Sequence, residues 1–205
     1  MIQDKENQAS TGIIILAAGA STRMGQPKQL LRIGTENLLQ RAIRIALSTP
    51  FRPIVVVLGA NQELIEPELA GLEVETVYNS DWSTGMGSSI ATGVKHLLQV
   101  AKDCQKAMIL VGDQPLLNSV HLLALQERKN QGNSPMVVSR YAATCGVPAL
   151  FDQLLFGELL ELHGTQGAKS LIQKYLDQAS IVDFEAGVLD IDTPEEWAAF
   201  LNKNG

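Results

Sequence analysis

Three short runs constrain this chain more than anything else in it: Gly12–Ala17 (GIIILA), Pro53–Leu58 (PIVVVL) and Lys106–Val111 (KAMILV). A strand wetted on one face alternates apolar and polar residues. Runs without that alternation belong to strands buried on both faces, as in a parallel sheet covered by helices. Between the runs the periodicity changes. Apolar residues at Leu38, Leu39, Ala42, Ile43, Ala46 and Leu47 mark a helix within Thr35–Leu47. Further helices are expected over Asn61–Ala70, strained by Pro67, and over Ser88–Ala101, with a strand at Val74–Tyr78 between them. This alternation predicts an α/β fold with a mostly parallel central sheet.

The second half is less regular. It reads as helices at Ser119–Lys129, Phe151–Leu162 and Ala168–Leu176, with strands at Pro135–Ser139, Gly146–Leu150, Ile181–Phe184 and Val188–Ile191. Thr193-Pro194-Glu195-Glu196 opens a last helix as a capping box, with Thr193 as N-cap and Glu196 at N3. The first ten residues carry both charge signs and no apolar core. They are expected to form a flexible tail, with residues 11–205 making a single domain.

Charge narrows the function. Twenty-two acids against 16 bases give a net charge of −6, which argues against a nucleic-acid binder. The Gly12–Ala20 run is too short to span a membrane, so neither nucleic acid nor membrane is an expected partner and a cytoplasmic protein is expected. The charge is uneven. Residues 11–50 hold five bases against one acid, whereas residues 181–200 hold six acids and no Lys or Arg. Cys104 and Cys145 form no CxxC pair and suggest neither a zinc site nor a disulfide framework.

In a parallel α/β sheet, ligands bind beyond the carboxyl ends of the strands, and three polar clusters fall there. Leu16–Lys28 is rich in small residues whose backbone can approach a phosphate, with Arg23 and Lys28 adding charge. It reads equally as a plain strand-to-helix turn. It is not a Walker A loop, because Gln26 and Pro27 separate Gly25 from Lys28. Nor does Gly85-Met86-Gly87 complete a dinucleotide fingerprint, since Ile90 stands where the third glycine belongs. The second cluster, Gly112-Asp113-Gln114-Pro115, offers a carboxylate suited to Mg²⁺, or an ordinary turn. The third, Asp190-Ile191-Asp192, can present two acids on one strand face or cap the final helix. No GxSxG elbow is present, and His96, His121 and His163 lie in no catalytic signature. Cys145 reads as a core residue.

Leu16–Lys28, LAAGASTRMGQPK, resembles the LAAGxSxRMGxxK signature of the MobA-like nucleotidyltransferases, most closely the molybdenum cofactor cytidylyltransferases. Asn79–Trp82, Gly85–Ser89, Gly112–Pro115, Gly146–Pro148, Gly167–Lys169 and Asp190–Glu195 follow in the family's order. The resemblance implies a Rossmann-like three-layer α/β/α nucleotidyltransferase fold. It also implies nucleotide binding by Leu16, Ala17, Ala18, Gly19, Ser21, Arg23, Lys28, Asn79, Gly85 and Ser88. Arg23, Lys28 and Asp113 take catalytic roles, and Asp113 and Asp192 are the implied Mg²⁺ ligands, whereas the residues themselves favour a structural, capping role for Asp190. Gly146–Pro148 and Gly164–Lys169 border the acceptor.

The implied reaction moves CMP from CTP to the phosphate of molybdopterin, releasing pyrophosphate, with handover to molybdenum hydroxylases. Two departures touch the acceptor side: Val147 replaces a His or Asn, and Gly164–Lys169 reads GTQGAK rather than GDxGAR. Ala17-Ala18, where guanylyl-transferring relatives read LAGG, tilts the base toward cytosine. Another phosphorylated acceptor, GTP as donor, and a non-catalytic cofactor-delivery protein stay open as alternatives.

Overall fold

In the computed structural model, which describes residues 10–165, 167–189 and 191–204, the first run becomes β1 (Thr11–Ala17), buried along its whole length. A small hairpin of β2 (Arg32–Ile33) and β3 (Glu36–Asn37) follows, then α1 (Leu38–Leu47). This helix begins three residues later than the periodicity suggests. Glu36–Asn37 pair back onto the hairpin, and Asn37 and Gln40 then form a reciprocal capping box. The chain continues through β4 (Ile54–Leu58), the single turn α2 (Gln62–Ile65), β5 (Glu75–Tyr78), α3 (Met86–Val100) and β6 (Lys106–Val111). The helix expected over 61–70 divides at Pro67, whose residue range Glu66–Leu69 is 3₁₀, because proline has no N–H to continue the ladder.

The second half supplies α4 (Ser119–Asn130), β7 (Met136–Tyr141), β8 (Thr144–Asp152), α5 (Phe156–Leu160), α6 (Ala168–Lys174), β9 (Ser180–Asp183) and α7 (Pro194–Asn204). Two expectations are corrected here. Phe151 and Asp152 extend β8 rather than open a helix, because Lys106 and Ala107 of β6 pair with them. Val188–Ile191 supplies no strand among its described residues: Glu185–Val188 is a 3₁₀ turn, and Leu189 and Ile191 turn instead into a local apolar cluster. Asp190 lies outside the described residues, as do residues 1–9 of the expected tail. Ser10 is tied down, donating to the Asp103 carbonyl at 2.8 Å.

The seven-stranded sheet runs in the order β5-β4-β1-β6-β8-β7-β9. It is parallel except for β8, which is antiparallel to both β6 and β7. The lack of alternation in β1 now has its cause. Ile13, Ile15 and Ala17 pack under α1 and α4 on one face, while Ile14 and Leu16 pack under α3, α5 and α6 on the other. The result is the expected three-layer, Rossmann-like arrangement. A third small cluster joins Met24, Leu31 and Leu38 to Ile191 and Phe200, so α7 packs beneath the loop that leaves β1.

Candidate active site

Chain order steps from β1 to β4 and β5, then crosses to β6 on the other side of β1. The α1 and α3 crossovers therefore cover opposite faces, and a crevice opens beyond the ends of β1 and β6, where α/β sheets bind ligands. A cleft of about 290 Å³ lies there. Leu16, Ala18, Gly19 and Asp113 form its sheet side, and Trp82, Met86 and Val111 make its wall largely apolar. A second cleft, about 230 Å³, is lined by Ser21, Arg23, Lys28 and Asp192, and shares Gly19, Gln29 and Asp113 with the first.

The loop between β1 and residue 28 is held at several points. The Gly112 N–H donates to the Leu16 carbonyl at 2.9 Å, and Ala60 N–H donates to the Ala18 carbonyl at 3.1 Å. Met24 is buried against α7, and Ser21 Oγ accepts from the Lys28 N–H at 3.0 Å. These contacts carry Arg23 and Lys28 to one carboxylate. Arg23 Nη2 lies 2.6 Å from Asp192 Oδ2, and Lys28 Nζ donates to Asp192 Oδ1. The bond from Lys28, reinforced by the Arg23 charge, holds the Asp192 carboxyl below the usual carboxylate range. Lys28 is nearly enclosed, with its side chain 14% exposed, whereas that of Arg23 is 71% exposed, so Lys28 is the fixed charge of the pair.

Most sequence candidates converge here. Leu16, Ala18 and Gly85 line the first cleft, Ser21, Arg23, Lys28 and Asp192 the second, and Gly19 and Asp113 both. Ala17, Asn79 and Ser88 do not line either. Asn79 is buried, and its Nδ2 donates to Ser88 Oγ at 2.9 Å and Ser89 Oγ at 3.0 Å, so it fixes the start of α3 from below. The Gly85-Met86-Gly87 motif has a packing origin. A Cβ on Gly85 would lie 2.3 Å from the Gly164 carbonyl oxygen, and one on Gly87 2.7 Å from the His163 backbone. The Gly87 N–H donates to that Gly164 carbonyl at 3.0 Å. Sequence reasoning missed Gln29, Trp82 and Met86. Trp82 carried a signal as one of only two tryptophans in the chain; Gln29 carried none beyond its place after Lys28.

Across Met86 lies a third cavity of about 330 Å³, lined by Tyr141, Cys145, Gly146 and Val147 on one side and Thr165, Ala168 and Lys169 on the other. The two segments expected at the acceptor thus face each other, although Gln166 lies outside the described residues. Cys145, expected in the core, is half-buried and borders this cavity; Cys104 is buried, which pushes its thiol up. No histidine lines these three clefts. His121 stacks on Phe184 at 4.2 Å with Nε2 2.7 Å from Ser139 Oγ. That hydroxyl donates to the Pro148 carbonyl, so His121 Nε2 carries the proton. Burial pushes the His121 pKa down to about 4.

Among the described residues, no group of three His, Cys, Asp or Glu side chains gathers to hold a metal. Asp113 and Asp192 nevertheless face one cleft. Two carboxylates on one cleft beside fixed positive charge suit Mg²⁺, which keeps several waters and completes its shell with ligand oxygens.

The chain matches the MobA-like NTP transferase domain over residues 13–179. It is 40% identical to the nicotine blue oxidoreductase of Paenarthrobacter nicotinovorans, over 97% of this chain and 99% of that one. It is 30% identical to the purine catabolism protein PucB of Bacillus subtilis strain 168, over 90% of this chain and 92% of that one. Among solved structures, the homolog of Mycobacterium tuberculosis Rv0371c from Mycobacterium sp. strain JC1 superposes with a TM-score of 0.82 at 28% identity, covering 96% of this chain and 98% of that one. Asp192 lies beyond the matched domain, on the segment that brings α7 to the β1 loop.

Proposed function

Because the chain belongs to the MobA-like NTP transferase family and is a nucleotidyltransferase, we propose that it transfers CMP from CTP to the terminal phosphate of molybdopterin. The observation that carries this reading is the pair of joined clefts: a largely apolar one for the base, and one holding Arg23, Lys28, Asp113 and Asp192 for a triphosphate.

In this reaction an oxygen of the acceptor phosphate attacks the α-phosphorus in line. The new bond joins that oxygen to the α-phosphorus, and the bond to the bridging oxygen breaks, releasing pyrophosphate. The attacking oxygen is already anionic, so no general base is needed, and clefts without a lining histidine lose nothing by it. Catalysis falls to positioning and charge neutralisation. Lys28 and Arg23 exchange Asp192 for oxygens of the departing phosphates as the nucleotide enters. Asp113, with Asp192 once released, would hold Mg²⁺, which would neutralise charge on the phosphates. Ala17-Ala18 supports cytosine over guanine, and the acceptor occupies the cavity across Met86. The finished cofactor passes to molybdenum hydroxylases, and residues 11–205 work as one domain.

The test is pyrophosphate release with CTP or GTP and Mg²⁺, with and without molybdopterin-type acceptor. Release with CTP that requires the acceptor supports the assignment. Release with a sugar or alcohol phosphate instead would overturn the acceptor, and tight CTP binding without release would mark a delivery protein.

A further inference from the structure

Gln29 sits on the single 3₁₀ turn Lys28–Leu30 and is 3% exposed. Its Nε2 reaches the Ala17 carbonyl at 3.4 Å, while Oε1 has no hydrogen-bond partner. A buried acceptor without a partner costs about 1–3 kcal/mol, and native proteins hold few of them. Turning the amide over would set its oxygen against the Ala17 carbonyl, acceptor against acceptor. The missing bond is therefore one that a donor must supply. Gln29 is also one of three residues, with Gly19 and Asp113, common to both clefts, so it stands at the waist where they meet.

The assignment of the clefts to a nucleotide decides which donor arrives there, and the inference rests on that reading. With the base against Trp82, Met86 and Val111 and the triphosphate beside Arg23 and Lys28, the sugar lies at the waist. Phosphate oxygens accept hydrogen bonds and cannot satisfy Oε1; ribose hydroxyls donate. We propose that Gln29 is a specificity-determining residue whose side-chain oxygen accepts a hydrogen bond from a ribose hydroxyl, so that the site selects ribonucleotides over deoxyribonucleotides. Asp113 then serves the phosphate side of the waist and Gln29 the sugar side.

Calorimetric titration in Mg²⁺ tests this without acceptor or turnover. The ligands are CTP and GTP, each with its 2′-deoxy and 3′-deoxy analogues; the proteins are wild type, Gln29→Met and Gln29→Glu. One neutral hydrogen bond corresponds to a preference of about five- to tenfold for the ribonucleotide over the analogue lacking the bonded hydroxyl. Gln29→Met is expected to weaken the ribonucleotide by that factor, leave the deoxy analogue unchanged and abolish the preference. Gln29→Glu keeps the acceptor, weakens all ligands alike through its charge and keeps the preference. Equal weakening of all ligands by Gln29→Met, or wild-type protein that binds ribo and deoxy forms equally, overturns the role of Gln29. Should Gln29→Met not fold, the wild-type and Gln29→Glu ratios decide alone. Wild type that binds neither CTP nor GTP overturns the nucleotide reading itself.

Discussion

Strands β5, β4, β1 and β6 run parallel, and β1 and β6 end at the two joined clefts, whereas β8 runs antiparallel between β6 and β7 and lines the third cavity with its first residues. In the parallel half the strand ends and the loop after β1 are tied to one another by backbone bonds, at Leu16–Gly112 and Ala18–Ala60. Little can change there without moving the site. In the other half, side chains such as Tyr141, Val147 and Lys169 define the cavity, and they can vary while the hairpin beneath them stays. A fold can thus keep one substrate and change the other.

The sharpest way to break this contrast is in the parallel half. Lys28→Ala and Asp113→Ala should each lower turnover about 10²–10³-fold, taking deletion of a preorganised charge contact as the guide, while leaving the fold intact. Pyrophosphate release measures it, and near-normal release by either variant removes that residue from the chemistry.

The next effect belongs to the half around β8 and is one of stability. His121, neutral in the fold, has a pKa lowered from 6.5 to about 4 by burial. Its contribution is fully present above pH 6.5 and is lost as pH falls through the folded value, because only the unfolded chain takes up the proton between the two. The linkage is of order 3 kcal/mol. Urea midpoints of wild type and His121→Gln should approach each other as pH is lowered from 7 to 4. A constant gap would place the stacking on Phe184, not the ionisation, in control.

The seam between the halves comes next. Gly85 has φ 127° and meets Gly164, so Gly85→Ala should lower stability by about 1–3 kcal/mol, read as a fall in Tm. An unchanged Tm would show that the Gly164 loop simply moves away. The smallest effect is expected from Val147→Asn, which adds a polar group to the cavity. It should change the acceptor KM by about fivefold, the worth of one hydrogen bond, with the nucleotide KM unchanged. A change in the nucleotide KM would show that the two halves are not separable.

The same division governs how far residues could be read without coordinates. Arg23, Lys28 and Asp113 stood out because they follow buried strands, but ordinary turns use the same residue types, and only the family resemblance gave them roles. Asn79 stood in a matching motif, yet its amide is taken up by Ser88 and Ser89, a contact no spacing reveals. Val188–Ile191 looked like a strand because its apolar residues recur, but Leu189 and Ile191 serve the cluster with Phe200 and Val188 is exposed. Cys145 looked like core because nothing in its neighbourhood suggests a reactive thiol, yet it borders the cavity that Ala168 and Ile172 close from α6.

Hydropathy along the chain determined the parallel half of the sheet, its two covered faces and the small-residue loop after β1, because burial on both faces is a property of each strand alone. The uneven charge was equally plain: bases early, acids late. Only the tertiary structure decided that they meet. α7 packs on Met24, and Asp192 reaches Arg23 and Lys28 across 164 residues of sequence from the nearer base, Lys28. It also placed Gln29, whose side-chain oxygen is buried and unsatisfied, at the waist of the clefts. Which polar groups find partners depends on distances between distant segments, and those distances exist only once the layers have packed.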